Sequence, residues 1–261
     1  MSSSTQLVVI GAGPGGYAAA FLASDLGMDV AIVEKETNPG GVCLYRGCIP
    51  SKAVLHVAKI ISEAKHAESF GISYGTPKID LTKLRTWKES VVNKLTGGLG
   101  QLAKARKIKY FQGEASFINS TTLSIKKSDG TVEQLTFKQA ILATGSRPST
   151  IPNLPKSTHI WDSTGALALE TIPETLLVVG GGYIGMELGT AYHELGTKVS
   201  VVEMTDGLLQ GSDRDLADVV YKRVKGMFAK IMLETKLLKM DESANGITVT
   251  FSGKDGKEFK E

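Results

Sequence analysis

Cysteine is nearly absent from this chain: 261 residues hold two, Cys43 and Cys48, both inside the segment GGVCLYRGCIPSK at 40–52. That scarcity excludes a disulfide-stapled secreted scaffold, which is cysteine-dense. Long hydrophobic runs are missing as well. The opening MSSSTQ has no basic stretch ahead of the apolar LVVI, which is too short for a signal core or a membrane span. A cytoplasmic chain with no membrane partner is therefore expected, and in that compartment a lone cysteine pair is catalytic, metal-binding or simply reduced. Charge of either sign is scarce in surplus. The formal net charge is +3, and the 30 basic residues form no long cationic run, so no nucleic-acid partner is expected. Histidine is limited to His56, His66, His159 and His193, none beside the cysteine segment, which argues against zinc or another metal.

What the chain does have is the balance of a soluble globular protein, 42% hydrophobic and 22% charged, at a length for one large or two ordinary domains. It also has an internal repeat. Residues 7–35, LVVIGAGPGGYAAAFLASDLGMDVAIVEK, recur 169 positions later as LLVVGGGYIGMELGTAYHELGTKVSVVEM. Each copy reads as an apolar strand, a glycine-rich turn, an amphipathic helix ending at Leu-Gly, and a second apolar strand ending in Glu. Two βαβ units are predicted, hence an α/β fold with two Rossmann-like dinucleotide-binding domains.

The glycines have separate tasks. Gly11 and Gly180 let the chain turn off the strand, Gly13 and Gly182 let a pyrophosphate approach the backbone, and Gly16 and Gly185 let helix pack closely on strand. The phosphates would meet unpaired N–H groups at a helix N-terminus. Glu34 and Glu203, about 20 residues on, would accept hydrogen bonds from an adenosine ribose. A 2′-phosphate would be repelled by Glu203, and Met204, Thr205 and Asp206 offer no arginine, so NAD is expected at the second turn. At the first turn Glu34 suits the ribose of FAD or NAD alike.

The cysteines follow the first repeat. Ile49-Pro50-Ser51-Lys52 opens a helical stretch expected to reach about residue 69, with Pro50 in the first turn. Cys48 then sits at a helix N-terminus, a location that stabilises a thiolate, and Lys52, four residues on, adds positive charge on the same face. Gly40, Gly41 and Gly47 thin the backbone, as close approach to a flat cofactor requires.

With GAGPGG, GGVCLYRGCIPSK, ATGSRP at 143–148 and GGGYIGMELG in this order, the chain resembles the flavoprotein (class I pyridine nucleotide-) disulfide oxidoreductases, and among them the bacterial dihydrolipoyl dehydrogenase family. The likeness implies FAD in the first fold and NAD in the second, with β-meander segments giving three-layer ββα domains. It implies a redox-active Cys43/Cys48 disulfide, Cys43 as the outer thiol that exchanges with dihydrolipoamide and Cys48 as the inner one, with Lys52 paired to Glu187. FAD contacts would come from Glu34, Lys35, Gly41, Val42, Cys43, Lys52, Ala115, Ala143, Thr144 and Gly145. NAD contacts would come from the turn Gly180–Ile184, including Tyr183, with Glu203 and Leu237. The implied partner is the lipoyl domain of an acyltransferase in a 2-oxo acid dehydrogenase complex.

Two departures from the family pattern stand out. Tyr183 resembles the nicotinamide-covering tyrosine of glutathione-reductase-like relatives, which keeps an NAD(P)H-dependent disulfide reductase as the alternative. A non-catalytic dinucleotide-binding module is the other. The second departure is length: the family pattern continues for nearly as many residues again, through a dimer-forming domain with a His-Glu acid/base pair that none of the four histidines matches. The 261 residues are thus expected to be an incomplete fragment, inactive alone toward dihydrolipoamide, of an enzyme that is a homodimer at full length. The expected organisation is an FAD-binding domain at 1–147 and an NAD-binding domain at 148–261, joined through SRPSTIPNLP. Helices are expected near 50–69, 80–105 and 213–229, strands from about 107 to 144, and a kink or break at the GGLG of 97–100.

Overall fold

The computed structural model describes residues 3–152, 154–243 and 246–261. In chain order the elements are β1 (Ser3–Ile10), α1 (Pro14–Asp25), β2 (Val30–Glu34), α2 (Gly41–Arg46), α3 (Cys48–His66) with a 3₁₀ turn at Ala67–Phe70, and α4 (Leu81–Ala105). Next come β3 (Lys109–Gln112), β4 (Glu114–Asn119), β5 (Thr122–Lys126), β6 (Val132–Leu142), α5 (Ser163–Ala168), β7 (Thr175–Val179) and α6 (Tyr183–Glu194). The chain finishes with β8 (Lys198–Val202), α7 (Arg214–Lys225), β9 (Lys230–Met232), β10 (Lys236–Ser243), β11 (Gly246–Ser252) and β12 (Glu258–Lys260). Two compact units result, Met1–Pro50 with Trp87–Arg147, and Ser51–Thr86 with Pro148–Glu261.

In unit 1 the sheet order is β3-β2-β1-β6-β5-β4. The first four strands are parallel and β4, β5 and β6 pair antiparallel. Alternation along β1 builds two cores, because successive side chains face opposite sides of a sheet. Leu7 and Val9 face α1 with Ala20, Ala23, Val30 and Ile32. Val8 and Ile10 face the meander with Leu123, Ile125, Leu135 and Phe137. The layers are helix, parallel sheet and meander, the ββα arrangement expected.

Unit 2 repeats the plan. Strands β7, β8 and β9 form a parallel sheet in that order, and β10, β11 and β12 form an antiparallel one. Val199 and Val201 pack with Met186, Ala191, Tyr192 and Leu195 of the α6 segment, and with Val54, Ala58 and Ile61 of α3. On the other face Val202 packs with Val249 and Phe251.

Several boundaries differ from expectation. Helix α3 starts two residues earlier, at Cys48, and α7 ends at Lys225. Helix α4 runs unbroken through Gly97, Gly98 and Gly100. Each glycine costs a helix about 1 kcal/mol, too little to end one of this length. Gly100 has a packing reason, since a Cβ there would overlap the Asn38 side chain. Among the described residues no helix is long and apolar enough to cross a membrane.

Helix α1 supplies a test of close packing. A Cβ on Gly16 would overlap the Gly11 carbonyl, whereas one on Gly15 meets nothing within 4 Å. Gly16→Ala is expected to destabilise unit 1 by about 3 kcal/mol. Gly15→Ala should stabilise it by up to about 1 kcal/mol through helix propensity. Urea unfolding of the two variants checks the contrast.

Candidate functional site

Both glycine turns are built the same way, and both are tied to the acid that ends the next strand. Glu34 Oε2 accepts the Ala12 N–H at 2.7 Å, and its Oε1 accepts those of Lys35 at 2.7 Å and Glu36 at 3.2 Å. Glu203 Oε2 accepts the Gly181 N–H at 2.7 Å, and its Oε1 accepts the Thr205 N–H and hydroxyl, each at 2.8 Å. One oxygen of each carboxylate therefore holds the turn while the other holds the loop beyond its own strand. Burial raises the Glu203 pKa, but the hydrogen bonds from the Gly181, Thr205 and Met204 amides outweigh it and hold the carboxyl below its ordinary value. In unit 1, burial and then the nearby Glu34 charge push the Tyr110 phenol well above the usual tyrosine range, and its hydroxyl donates to the Glu36 carbonyl at 2.9 Å.

The helices that follow have bare N-termini. Gly13 and Gly182 are the N-caps of α1 and α6, without a side-chain cap and without an acidic residue in the first turn. By contrast, α5 is capped by Asp162, whose carboxylate accepts the Gly165 N–H at 2.8 Å. Uncapped amides at the positive end of a helix dipole suit phosphate oxygens. The donor set at both turns thus fits a dinucleotide.

Around the first turn, Gly11 adopts φ +95° and a Cβ there would overlap the Ala143 carbonyl, whose own N–H donates to Ile10. Gly41, the first residue of α2, presses on the turn: a Cβ on it would lie 2.5 Å from the Gly13 Cα. The Gly40 N–H donates to the Ala12 carbonyl at 2.8 Å. The cysteine-bearing helix is seated directly on the nucleotide turn because neither partner has a side chain there.

Within the cysteine segment α2 ends at Arg46, and Gly47 alone separates it from α3. A Cβ on Gly47 would lie 3.0 Å from the Val42 carbonyl and 3.4 Å from the Cys43 Cα, so the end of α2 leaves little room for a side chain there. Cys43 is half-buried and Cys48 exposed. Cys48 opens α3, whose first turn has no acidic residue. One turn on, Lys52 Nζ lies 2.6 and 2.8 Å from the two Glu187 oxygens, and the buried Ser51 hydroxyl donates to Glu187 Oε2 at 2.7 Å. A second tie between α3 and α6, Lys65 to the buried Glu194 at 3.1 Å, fixes the helix further along.

Not every expected residue joins these clusters. Lys35 is exposed and pairs with Glu114 at 3.0 Å. Ala115 packs under the meander, opposite Ile125 on β5. Thr144 and Gly145 are exposed just past the Ala143 contact, and Val42 is exposed on α2. Tyr183 and Ile184 are exposed on the first turn of α6, Tyr183 at 69%. Leu237 packs into the β10–β12 core. Among the described residues no cluster of His, Cys, Asp and Glu could hold a metal ion. Residue-by-residue reasoning missed Ser51 and Thr205. Each is a hydroxyl within two positions of a residue already singled out, and that adjacency was the available signal.

Residues 5–260 match the family described as pyridine nucleotide-disulphide oxidoreductase. Dihydrolipoyl dehydrogenases of Haemophilus influenzae and Vibrio cholerae are 50% and 49% identical to the chain over 251 and 250 residues, which is 96% and 95% of it and 52% of each relative. The chain spans about half the length of the curated relatives it matches. A solved Cu(II) complex of a cysteine-to-serine mutant of RclA, the HOCl-induced flavoprotein disulfide reductase of Escherichia coli, is 26% identical. It aligns with a TM-score of 0.81 over 99% of this chain and 55% of its own.

Glu203 supplies a pH test. Its depressed pKa means its contribution to stability is complete above the ordinary carboxylate value of about 4.3 and is lost as pH falls through the lower folded value. Glu203→Gln is expected to flatten the acid limb of stability between pH 5 and pH 3, measured as the urea midpoint against pH.

Proposed function

Because the chain belongs to the pyridine nucleotide-disulphide oxidoreductases, we propose that it is the FAD- and NAD-binding portion of a dihydrolipoyl dehydrogenase, with FAD at the Gly11 turn and NAD at the Gly180 turn. The observation that carries this reading is the seating of Gly41 on Gly13, which puts the dithiol helix on the first nucleotide turn. The residues that would hold FAD are Gly11, Gly13, Gly16, Glu34, Gly41 and Ala143; Gly180, Gly182, Gly185 and Glu203 would hold NAD. When bound, FAD would supply two-electron exchange between the dithiol and NAD+.

The protein's own chemistry is thiol exchange. With Cys43 and Cys48 oxidised, one thiolate of dihydrolipoamide attacks the Cys43 sulfur, forming a mixed disulfide and releasing Cys48 as a thiolate. The substrate's second thiolate then attacks its own bonded sulfur, closing lipoamide and releasing Cys43. The Cys48 thiolate so released stands at the start of α3, and Glu187 with Ser51 fixes where the Lys52 ammonium lies one turn on. The partner that presents the dithiol would be the lipoyl domain of an acyltransferase in a 2-oxo acid dehydrogenase complex, met in the cytoplasm by a homodimer of the full-length enzyme. A second reading, an NAD(P)H-dependent disulfide reductase, is favoured by the exposed Tyr183 at the start of α6.

Absorption spectra test the proposal. After loading with FAD and anaerobic addition of dithiothreitol, the protein should gain a long-wavelength band. Cys43→Ser should keep that band without reductant, and Cys48→Ser should abolish it. Retention of the band in Cys48→Ser would overturn the assignment. Residues 1–261 alone should reduce flavin with a small dithiol yet turn over dihydrolipoamide at no more than about a hundredth of a typical k of about 10 per second, checked by NADH formation.

A further inference from the structure

The two cysteines enclose Leu44, Tyr45, Arg46 and Gly47. The first three carry large side chains, and all three are engaged within unit 1. Leu44 is buried. The Tyr45 hydroxyl donates to the Asn38 carbonyl at 3.1 Å. Arg46, the last residue of α2, donates through both terminal guanidinium nitrogens to Glu36 Oε1, with Nη1 at 2.8 Å. A planar guanidinium anchored through both of those nitrogens is held in direction as well as in distance. The stretch between the sulfurs is therefore tied down at three consecutive residues, and the tie nearest Cys48 is the ion pair.

The segment that receives these ties, residues 35–40, is itself fastened to its neighbours. The Glu36 N–H donates to Glu34 Oε1 at 3.2 Å, and the Glu36 carbonyl accepts the Tyr110 hydroxyl of β3 at 2.9 Å. The Lys35 carbonyl accepts the Gln112 amide, also from β3, at 3.1 Å. Asn38 packs against Gly100 of α4, and the Gly40 N–H donates to the Ala12 carbonyl of the glycine turn. Glu36 is thus fixed on both sides of its own peptide, and its side chain is an anchor set on a rigid base. Glu34 links that base to the nucleotide turn, because its other oxygen holds Ala12. The Arg46–Glu36 pair itself lies at the surface, the two side chains 43% and 29% exposed, so replacing either leaves the core intact.

We infer that Arg46, acting through Glu36, is a positioning residue for the dithiol: it holds the end of α2, and with it the step through Gly47 to Cys48, in the arrangement from which the two sulfurs join. That the two sulfurs join at all rests on the proposed function. On joining, Cys43 and Cys48 together give up two protons and two electrons, and an acceptor disulfide takes both and leaves as two thiols. A protein disulfide accepts only a narrow Cα separation, about 4.4–6.8 Å. Any freedom that the end of α2 has in the dithiol form must be surrendered when the ring closes. Releasing Arg46 adds such freedom and so disfavours the disulfide. Direct action of the guanidinium charge on a sulfur predicts the reverse, since removing a cation that supports a thiolate would favour the disulfide.

The test equilibrates the 261-residue chain, without oxygen and at neutral pH, with graded mixtures of reduced and oxidised glutathione. Remaining thiols are trapped by alkylation, and the fraction joined is read by mass. Arg46→Ala is expected to lower the equilibrium constant for the Cys43–Cys48 disulfide by about two- to fivefold, and Arg46→Lys to restore part of that loss. Glu36→Gln should shift the constant in the same direction, and the double variant no further than Arg46→Ala alone, because the two side chains act as one unit. Lys127→Ala breaks a comparable surface pair, with Glu133 at 3.2 Å by the β5–β6 hairpin, and should leave the constant unchanged. An unchanged or raised constant in Arg46→Ala, opposite shifts in Arg46→Ala and Glu36→Gln, or an equal shift in Lys127→Ala would each overturn the inference while the proposed function stands. A wild-type chain that forms no Cys43–Cys48 disulfide in any mixture would overturn both.

Discussion

One hydrogen bond made twice sets the geometry on which the sites depend: a strand-end carboxylate accepting the second amide of a glycine turn, Glu34 from Ala12 and Glu203 from Gly181. The bond joins the end of β2 to the turn leaving β1, and the end of β8 to the turn leaving β7. It fixes where α1 and α6 begin, and so where their uncapped amides point. In unit 1 the turn so held is also the surface on which Gly40 and Gly41 rest. The cysteines follow within a few residues, on α2 and at the start of α3.

The cysteine segment depends on absent side chains as much as on present ones. Gly41 lets α2 touch the turn, and at Gly47 a side chain would crowd the Val42 carbonyl and the Cys43 Cα. Lys52 is held by Glu187, which is itself held by Ser51. An exposed ion pair of this kind contributes about 1 kcal/mol or less to stability. Its importance is positional, since it places a cation one turn beyond the thiol at the helix start.

Much of this was legible in the sequence because the physics is local. The spacing of Gly11, Gly13 and Gly16 with Glu34, repeated at Gly180 to Glu203, announced strand, turn, helix and acid. The two cores follow from alternation along VVI and VAIV. What stayed hidden was either non-local or disguised by composition. The glycines of α4 read as a break because propensity was weighed without the packing of Gly100 on Asn38. Helix α3 reached back to Cys48, directly after Gly47, so Pro50 lies inside its first turn and does not open it. Ser51 and Thr205 look like ordinary surface hydroxyls until the structure shows which carboxylate each one meets.

Under the proposed NAD reading, the double duty of Glu203 constrains how cofactor preference could drift over time. A lineage that replaced it with a neutral or basic residue to welcome a phosphorylated ribose would also strand the Gly181 amide and release the Thr205 loop. Such a change becomes tolerable only alongside a new acceptor for that amide, an asparagine or serine nearby for example. Ancestry should therefore record these replacements in pairs, with the compensating residue appearing first or together with the loss of the acid.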